Sequence, residues 1–302
     1  MYMMIAIALI VSITFLLLEF MPGSPFNDLR LTPEQRVLLD EKYGLNDPIA
    51  VKYARYVGNL FHGDLGTSFI FNNQNVSDMI AARMSSSILV GLQALVCGSV
   101  VGILLGIVAA LKRNSFWDHL TTIIAVIGVS IPAFVIGSLM QYSLGVELKV
   151  LPILFDKRNF LSTIMPTISL AFSVVATTAK YMRNELVDII NSDYILFARS
   201  KGLTGREVIL KHAVRNALIP VVTILGPMTV TLITGSTVVE RIFSVPGLGN
   251  LLVTSIQSND YFVILGEGLV FSLMFLSVVL VVDILYGLID PRIRLTGGNS
   301  NE

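Results

Sequence analysis

Residues 87–111 read SILVGLQALVCGSVVGILLGIVAAL and contain no charged side chain. A helix needs about 20 mostly apolar residues to cross a bilayer, so this run is long enough for one membrane span. Gly98, Gly102 and Gly106 recur within it at intervals of four residues. Because small residues at this spacing let two helices approach closely, we expect this helix to pack tightly against a neighbour.

Five further apolar runs predict five more spans, at residues 1–20, 120–144, 164–179, 218–239 and 262–288. The chain of 302 residues is 54% hydrophobic and only 14% charged, and its mean hydropathy is +0.75. Soluble domains carry about 25% charged residues, which excludes an ordinary water-soluble globule. We interpret the first run as a span, because residues 19–22 are a poor signal-peptide cleavage site. The sequence therefore predicts an all-α membrane protein with six transmembrane helices.

Charge and metal-binding residues exclude several other classes of protein. Lys and Arg together number 21, as do Asp and Glu, so no global basic surface is available for nucleic acid. Cys97 is the only cysteine, and His62, His119 and His212 are scattered along the chain. These spacings fit neither a disulfide nor a zinc site. We expect no metal site and no nucleic-acid partner.

The distribution of charge between the spans predicts the orientation. Lys and Arg outnumber acidic residues by four in residues 111–118, 180–216 and 289–302 taken together. In the alternate set of connections, acidic residues are in excess by one. Because cytoplasmic loops are enriched in Lys and Arg, the first set is predicted to be cytoplasmic, together with both chain ends. The chain then divides into the first span, an external region at 21–83, a transmembrane core at 84–288 and a tail at 289–302.

The external region is predicted to form short surface helices. Residues 32–35 (Thr-Pro-Glu-Gln) have the pattern of a capping box with proline in the first helical position, and Gly44 would end that helix. A second helix is expected to begin after Asp47-Pro48 and to end near Phe61. We expect these helices to lie as a lid on the outer face.

The connection at residues 180–216 is long enough to carry structure of its own. Residues 191–193 (Asn-Ser-Asp) offer an N-cap for a helix over 194–201, and Gly202 would end it in the left-handed conformation. Residues 204–207 (Thr-Gly-Arg-Glu) form a second capping box that starts a helix toward Pro220. The exposed face would be cationic with apolar anchors, which suits either a docking surface or an amphipathic helix resting on anionic lipid headgroups.

Two segments in this region resemble a known family. ARSKGL at 198–203 and KHAVRNALIP at 211–220 are similar to the coupling loop of the membrane subunits of ABC importers for dipeptides, oligopeptides and nickel. Further motifs of the same family occur in the same order along the chain. They are PGSP at 22–25, GDLGTS at 63–68, SIPAF at 130–134, the segment 235–240, PGLG at 246–249 and DPR at 290–292. The first two, with the long external region, look like the B-type of the two permease subunits.

The resemblance implies a type I ABC importer permease fold in a bacterial cell membrane. The expected partners are a homologous second permease in a heterodimer, two cytoplasmic ATPases, an external solute-binding protein and a peptide substrate. ATP and Mg would be bound by the ATPases, since this chain has no phosphate-binding Gly-x-x-x-x-Gly-Lys-Ser/Thr loop and is expected to be neither an enzyme nor a cofactor carrier. The motif sequences resemble most those of the oligopeptide branch. Dipeptides, nickel or a metallophore are the alternative substrates. The residues expected to couple to the ATPases are Asp193, Tyr194, Ala198, Arg199, Lys201, Gly202, Arg206 and Glu207.

Mid-span prolines predict where the translocation pathway lies. Ile131-Pro132 and Gly226-Pro227 would kink their helices, because proline removes a backbone donor. The alternative for the neighbouring Ser and Thr hydroxyls is a bond to a carbonyl of their own helix. The candidate pathway residues are Ser130, Pro132, Gly226, Pro227, Thr231 and Gly235, and the resemblance adds Glu240.

The sequence argues against two other functions. An ion-coupled transporter needs carboxylates near the midplane, whereas Glu267 and Asp283 lie at opposite ends of one span. Glu267 is expected to be exposed at the outer end. An intramembrane protease would need acidic residues on facing helices, whereas Asp283 and Asp290 are at the same span end.

Overall fold

A computed structural model of the chain describes residues 2–22, 32, 34, 37–38, 41, 44–234 and 236–289. Regular structure in these ranges is helical, apart from one isolated β-bridge between Thr67 and Asn75. The predicted all-α class is therefore confirmed. The helices are α1 Tyr2–Glu19, α2 Ile49–Phe61, α3 Val76–Leu111, α4 Phe116–Ser130, α5 Ala133–Met140, α6 Leu161–Ile190, α7 Asp193–Ser200, α8 Gly205–Glu207, α9 Val214–Ile233, α10 Thr237–Ile242, α11 Leu248–Gln257 and α12 Tyr261–Ile289. Two π-helical segments extend them, Gln141–Glu147 after α5 and Val208–Ala213 between α8 and α9.

The predicted count of six spans is not confirmed by the described residues. Four segments are long and apolar enough to cross a membrane: Val76–Leu111, Leu161–Ile190, Gly205–Ile242 and Tyr261–Val282. A fifth results if α4 and the helix Ala133–Glu147 are counted as one broken span. The apolar part of α1, Met3–Glu19, is shorter.

The third predicted span is broken rather than merely kinked. α4 and the helix that follows it are bent by 98°. Ile131 is extended, with φ −89° and ψ 121°, because a residue before proline is disfavoured in the α region. Pro132 then begins the next helix, where its missing N–H is not needed. By contrast, Pro220 and Pro227 both lie inside α9, which continues through them.

The described residues fall into two compact units. Unit 1 comprises Met1–Ser87 and Pro246–Leu276, and unit 2 comprises Ile88–Val245 and Ser277–Glu302.

In unit 1, α2 packs on α1. Phe15 stacks on Tyr56 at 5.9 Å between ring centroids, and further apolar contacts surround them. The Lys52 ammonium pairs with the Glu19 carboxylate, and the Ser12 and Tyr53 hydroxyls share a hydrogen bond of 2.6 Å. The polar ends of these side chains therefore tie the short helix to the first apolar one.

The predicted external helices are only partly within the described residues. α2 begins one residue after Pro48 and ends at Phe61, as predicted, and Gly63 follows with φ +75°. Most of the first predicted helix lies outside the described residues, although Glu34, Val37, Leu38 and Glu41 are helical and Gly44 has φ +65°. The second predicted span begins earlier than expected, because α3 already starts at Val76.

In unit 2, the central element is α6. Its most apolar stretch of 18 residues is 61% buried. The three glycines of α3 make this possible. A Cβ on Gly106 would lie 2.7 Å from the Ala179 carbonyl oxygen, and Cβ atoms on Gly98 and Gly102 would meet Val174 and Thr178 just as closely. The predicted close packing of this helix is confirmed. On the α4 side, a Cβ on Gly128 would lie 2.5 Å from the Ala176 Cβ, so both helices approach α6 through glycine.

Candidate functional site

The short helix α7 has a buried inner face and a bare outer face. Ile195 and Ala198 are buried in a cluster with Leu186 of α6 and with Val208 and Ala213 of the π-helical segment. On the outer face, large apolar side chains remain exposed: Tyr194 is 42%, Leu196 66% and Phe197 59% exposed. The helix is therefore anchored on one side, whereas large apolar side chains remain exposed on the other. The Tyr194 hydroxyl accepts a bond from the Asn216 side-chain amide at 3.0 Å.

Cations surround this apolar surface. Arg199, Lys201 and Arg206 are exposed, and the Lys201 ammonium lies 4.5 Å from the centroid of the Phe197 ring. Asp193 is exposed in the first turn of α7, where a carboxylate is favourable because of the partial positive charge of the helix start. This arrangement suits a protein groove with an apolar floor and an acidic edge. Ala198 was predicted among the coupling residues, but it lies on the buried face instead.

The turn after α7 has the geometry that the sequence predicts. Gly202 has φ +80°, and its N–H donates to the Arg199 carbonyl at 3.0 Å. Such a φ is costly for residues with a Cβ, so glycine suits this position. At Thr204, the hydroxyl accepts a bond from the Glu207 N–H at 3.3 Å, and the Glu207 carboxylate accepts one from the Thr204 N–H at 3.2 Å. The predicted capping box is therefore confirmed. The Glu207 side chain takes part in it and remains partly exposed.

The side-chain hydrogen bond predicted at the N-cap of α7 is not formed. Ser192 occupies the N-cap position, but its side chain does not accept a bond from the helix. Its hydroxyl donates to the Ile189 carbonyl at 2.6 Å instead. The preceding end of α6 thus competes successfully for the same hydroxyl.

The predicted pathway residues differ in their exposure. Ser130 and Pro132 are exposed at the 98° break, and Thr231 is exposed on α9 with its hydroxyl bonded to the Pro227 carbonyl at 3.2 Å, as in the back-bonding alternative. Pro227 is likewise exposed. Gly226 is buried, and a Cβ there would lie 2.8 Å from Val282.

The last two predicted pathway residues lie near α10. Glu240 is only 5% exposed, between Val239 and Arg241 on this short helix, and Val239 belongs to a buried apolar cluster. Gly235 lies outside the described residues. Of the predicted set, the exposed members are therefore Ser130, Pro132, Pro227 and Thr231.

Ser130 also lines a groove of about 450 Å³ between α4 and α6. At one end of the groove, Lys180, Arg183 and Asn184 supply polar groups. Arg183 makes two hydrogen bonds to the carboxylate of Asp118, at 3.0 and 2.9 Å. The sequence analysis missed this pair. Nothing in the spacing links residues that far apart, and the only signal was an acidic side chain at the start of an apolar run.

Unit 1 holds two further polar residues that the sequence analysis missed or misplaced. Glu267 is 0% exposed, so the prediction of an exposed side chain is wrong; it interacts electrostatically with Arg83, whose guanidinium carbon lies 5.6 Å from the Phe71 ring centroid. Asp260 is also fully buried and is bonded by Ser68. The burial of these two carboxylates could not be predicted from the sequence alone.

Several known transport proteins align with nearly the whole chain. The dipeptide transport system permease protein of Lactococcus lactis is 44% identical over 97% of this chain and 96% of its own length. The corresponding dipeptide protein of Bacillus subtilis is 38% identical over 96% and 94%, and the oligopeptide transport system permease protein of Salmonella typhimurium is 36% identical over 95% and 94%. A solved amino acid ABC transporter aligns with a TM-score of 0.49 and 16% identity, over 72% of this chain and 95% of that one.

A family match covers about two thirds of the chain. Residues 102–295 match the family described as binding-protein-dependent transport system inner membrane component. This range includes α7, the turn at Gly202 and all of the predicted pathway residues. Together with the full-length relatives, the match identifies the chain as a member of the family of binding-protein-dependent transport system inner membrane components.

Proposed function

We propose that this chain is the membrane subunit of an ATP-driven peptide importer and forms half of its translocation pathway. The other half would come from a homologous second permease. The observation that carries the proposal is the outer face of α7, where three large apolar side chains are exposed within a cationic rim. A helix that keeps such a face bare is expected to have a protein partner.

The partner that fits this face is a cytoplasmic ATPase. ATP and Mg would be bound by two ATPase subunits, and α7 would lie in a groove of one of them. Closure of the ATPases on ATP would displace α7 and so favour one of two packings of the transmembrane helices. Because α7 is joined to α6 and to the π-helical segment through buried side chains, its displacement is expected to move both elements.

The orientation follows from this assignment and from the charges. Residues 180–216 would face the cytoplasm, since Lys and Arg are in excess there. With the six spans that the sequence predicts, both chain ends would lie on the same side. The external helix α2 would then lie on the side from which a solute-binding protein delivers the substrate. We place the complex in the plasma membrane of a bacterium.

We propose short peptides as the substrate. Relatives named for dipeptide and for oligopeptide transport both align over nearly the full chain, so the oligopeptide preference read from the sequence stays a prediction. Nickel or a metallophore is the alternative. Among the residues that the structure describes, no group of three or more His, Cys, Asp or Glu side chains is arranged to hold a metal ion.

Reconstitution of the complete importer tests the proposal. The chain is purified with its second permease, ATPases and binding protein, and placed in liposomes with ATP on the ATPase side. Uptake of a labelled dipeptide, a labelled pentapeptide and radioactive nickel is then compared. We expect peptide uptake that requires ATP and the binding protein and that persists when ionophores collapse all ion gradients.

Three outcomes would contradict the proposal. Uptake driven by an ion gradient without ATP would indicate a secondary transporter. Nickel uptake without peptide uptake would indicate the alternative substrate. Retention of full uptake after Leu196→Ser and Phe197→Ser in the same chain would remove the proposed role of the apolar face.

A further inference from the structure

The carboxylate of Asp118, which is buried, and the guanidinium of Arg183, which is partly exposed, form a two-pronged ion pair. Nε and one terminal nitrogen of Arg183 donate to the two carboxylate oxygens at 3.0 and 2.9 Å. The same carboxylate accepts a bond from the Asn114 N–H at 2.9 Å, and Asp118 is only 3% exposed. A third donor nitrogen of Arg183 bonds to the Asn184 side chain at 3.3 Å. Both charged groups therefore have well-formed partners.

The pair joins elements at a mechanically important place. Asp118 is in the first turn of α4, and Asn114, with φ +61°, is in the tight turn that precedes it. Arg183 is in the last two turns of α6, about 10 Å along the helix axis from Ile190. α7 begins three residues after Ile190. The ion pair is thus the polar connection between the end of α6 that carries α7 and the start of α4.

The restraint that this connection imposes follows from its two hydrogen bonds. A two-pronged Arg–carboxylate pair fixes direction as well as distance, because both side-chain planes must align. Removing either partner would leave the other charged group without its main partner in a partly buried site. α4 and α6 are therefore expected to keep one relative position at this end. The pair adds a directional restraint at this end to the close packing of α4 on α6 at Gly128.

At its other end, α4 reaches the predicted pathway. Ser130 ends α4 about 18 Å along the axis from Asp118 and is exposed at the 98° break. A displacement applied at α7 reaches α6 through the buried contacts of Ile195 and Ala198. The ion pair then links α6 to a straight helix whose far end is Ser130.

We propose that Asp118 and Arg183 are positioning residues for transport, which hold α4 to the α7-bearing end of α6 so that movement of α7 reaches the broken span. This inference rests on the proposed function, because it assumes that α7 is displaced by an ATPase. The pair contacts neither substrate nor nucleotide in this account. Its role is to convert one motion into another.

A distance measurement tests the geometric part independently of transport. Spin labels are attached at His119→Cys on α4 and Ser200→Cys at the end of α7, both exposed positions, in a Cys97→Ser background. In the assembled complex without nucleotide, we expect one narrow distance distribution. Asp118→Asn in the same background should broaden it, whereas Lys180→Gln, which removes an exposed cation of the same groove, should leave it narrow.

The functional part is tested by the ratio of ATP hydrolysed to peptide imported in proteoliposomes. Asp118→Asn should raise this ratio by about fivefold or more, because ATPase activity continues while the motion is no longer passed on. Arg183→Lys retains the charge but cannot make two parallel bonds, so its ratio should lie between those of the wild type and Asp118→Asn. Lys180→Gln should match the wild type. The Arg183→Lys variant also serves if Asp118→Asn fails to assemble.

The possible results separate this inference from the proposed function. If the wild-type complex imports no peptide, the proposed function fails, whatever the labels report. If the wild type imports peptide but both pair variants keep its ratio and its narrow distance distribution, the positioning role is overturned. A broadened distribution with an unchanged ratio would show that the pair holds the helices but does not transmit movement, which also overturns the inference.

Discussion

The hydroxyl of Ser68 donates a hydrogen bond to the carboxylate of Asp260, a residue 192 positions further along the chain. Both side chains are fully buried within unit 1. The same hydroxyl oxygen accepts bonds from the N–H groups of Ile70 and Phe71, at 3.1 and 2.8 Å, and the other carboxylate oxygen accepts the Phe69 N–H at 3.2 Å. One serine thus organises a turn and joins it to the residue that precedes α12.

Replacing Ser68 should loosen this turn. Ser68→Ala removes one donor from the carboxylate, which keeps the Phe69 N–H, and it removes the hydroxyl acceptor of two backbone N–H groups. Each buried group left unsatisfied costs about 1–3 kcal/mol. We expect faster limited proteolysis at residues 66–75 and a lower unfolding temperature of the detergent-solubilised protein. Ser85→Ala is the matched control, because the Ser85 hydroxyl is exposed and bonds to the Ala82 carbonyl in its own helix. Equal behaviour of the two variants would contradict this role.

Asp260 should make the stability of unit 1 depend on pH. Burial raises the pKa of its carboxyl, although the hydrogen bonds from Ser68 and the Phe69 N–H act in the opposite direction. Since the folded state then holds the proton more tightly than the unfolded state, stability is greatest below about pH 4 and decreases as pH rises through the raised pKa. Asp260→Asn should lack this decrease. Thermal unfolding followed from pH 4 to pH 8 compares the two, and parallel curves would count against the shift.

Gly202 should be essential because of its backbone rather than its surroundings. A Cβ there would meet nothing within 4 Å, but the φ of +80° and the N–H bond to Arg199 both exclude proline. Gly202→Pro should abolish uptake while the permease still inserts into the membrane. Gly202→Ala should cost about 1–2 kcal/mol in the local turn and reduce uptake partially.

Gly205 provides the control for this prediction. It too has open space around it, but its φ is not in the left-handed region, so Gly205→Ala should preserve uptake. Uptake assays on equal amounts of inserted protein distinguish the positions. If Gly205→Ala were as harmful as Gly202→Ala, the turn conformation would not be the cause.

The glycines of α3 should be intolerant of any side chain. Gly106→Ala would bring a methyl group to 2.7 Å from both the Ala179 carbonyl oxygen and the Met182 Cβ, which forces α3 away from α6. Overpacking of this kind typically costs about 1–3 kcal/mol. Gly58→Ala in α2 meets nothing within 4 Å and should be neutral or stabilising, since alanine favours helix. Unfolding temperatures of the two variants test the contrast.

Local features of the sequence predicted local structure well. The capping box at Thr204, the left-handed Gly202 and the four-residue glycine spacing were all found, because each depends on residues close together in the chain. The predicted Ser192 cap was wrong. Its hydroxyl bonds to the Ile189 carbonyl instead, and the sequence pattern does not indicate which nearby backbone group a serine hydroxyl bonds. The direction of a side chain is a choice between near-equal local energies.

Long-range polar pairs could not be predicted in the same way. Asp118 with Arg183 and Ser68 with Asp260 are separated by many residues, and only the packing of whole helices brings them together. Glu267 was expected in water because a carboxylate near a span end can reach it, whereas the surrounding helices bury it completely. The position of Pro132 indicated a bend, but its size of 98° depends on how both halves pack.

The break between Ser130 and Ala133 has a consequence for where this chain can exist. A new helix starts there with N–H groups that have no acceptor inside it, and hydrocarbon offers none. Ser130, Ile131 and Pro132 are exposed on this chain, so a solitary copy would present uncovered peptide groups to lipid tails. We therefore expect this edge to face a second polypeptide or a water-filled space when the chain lies in a bilayer.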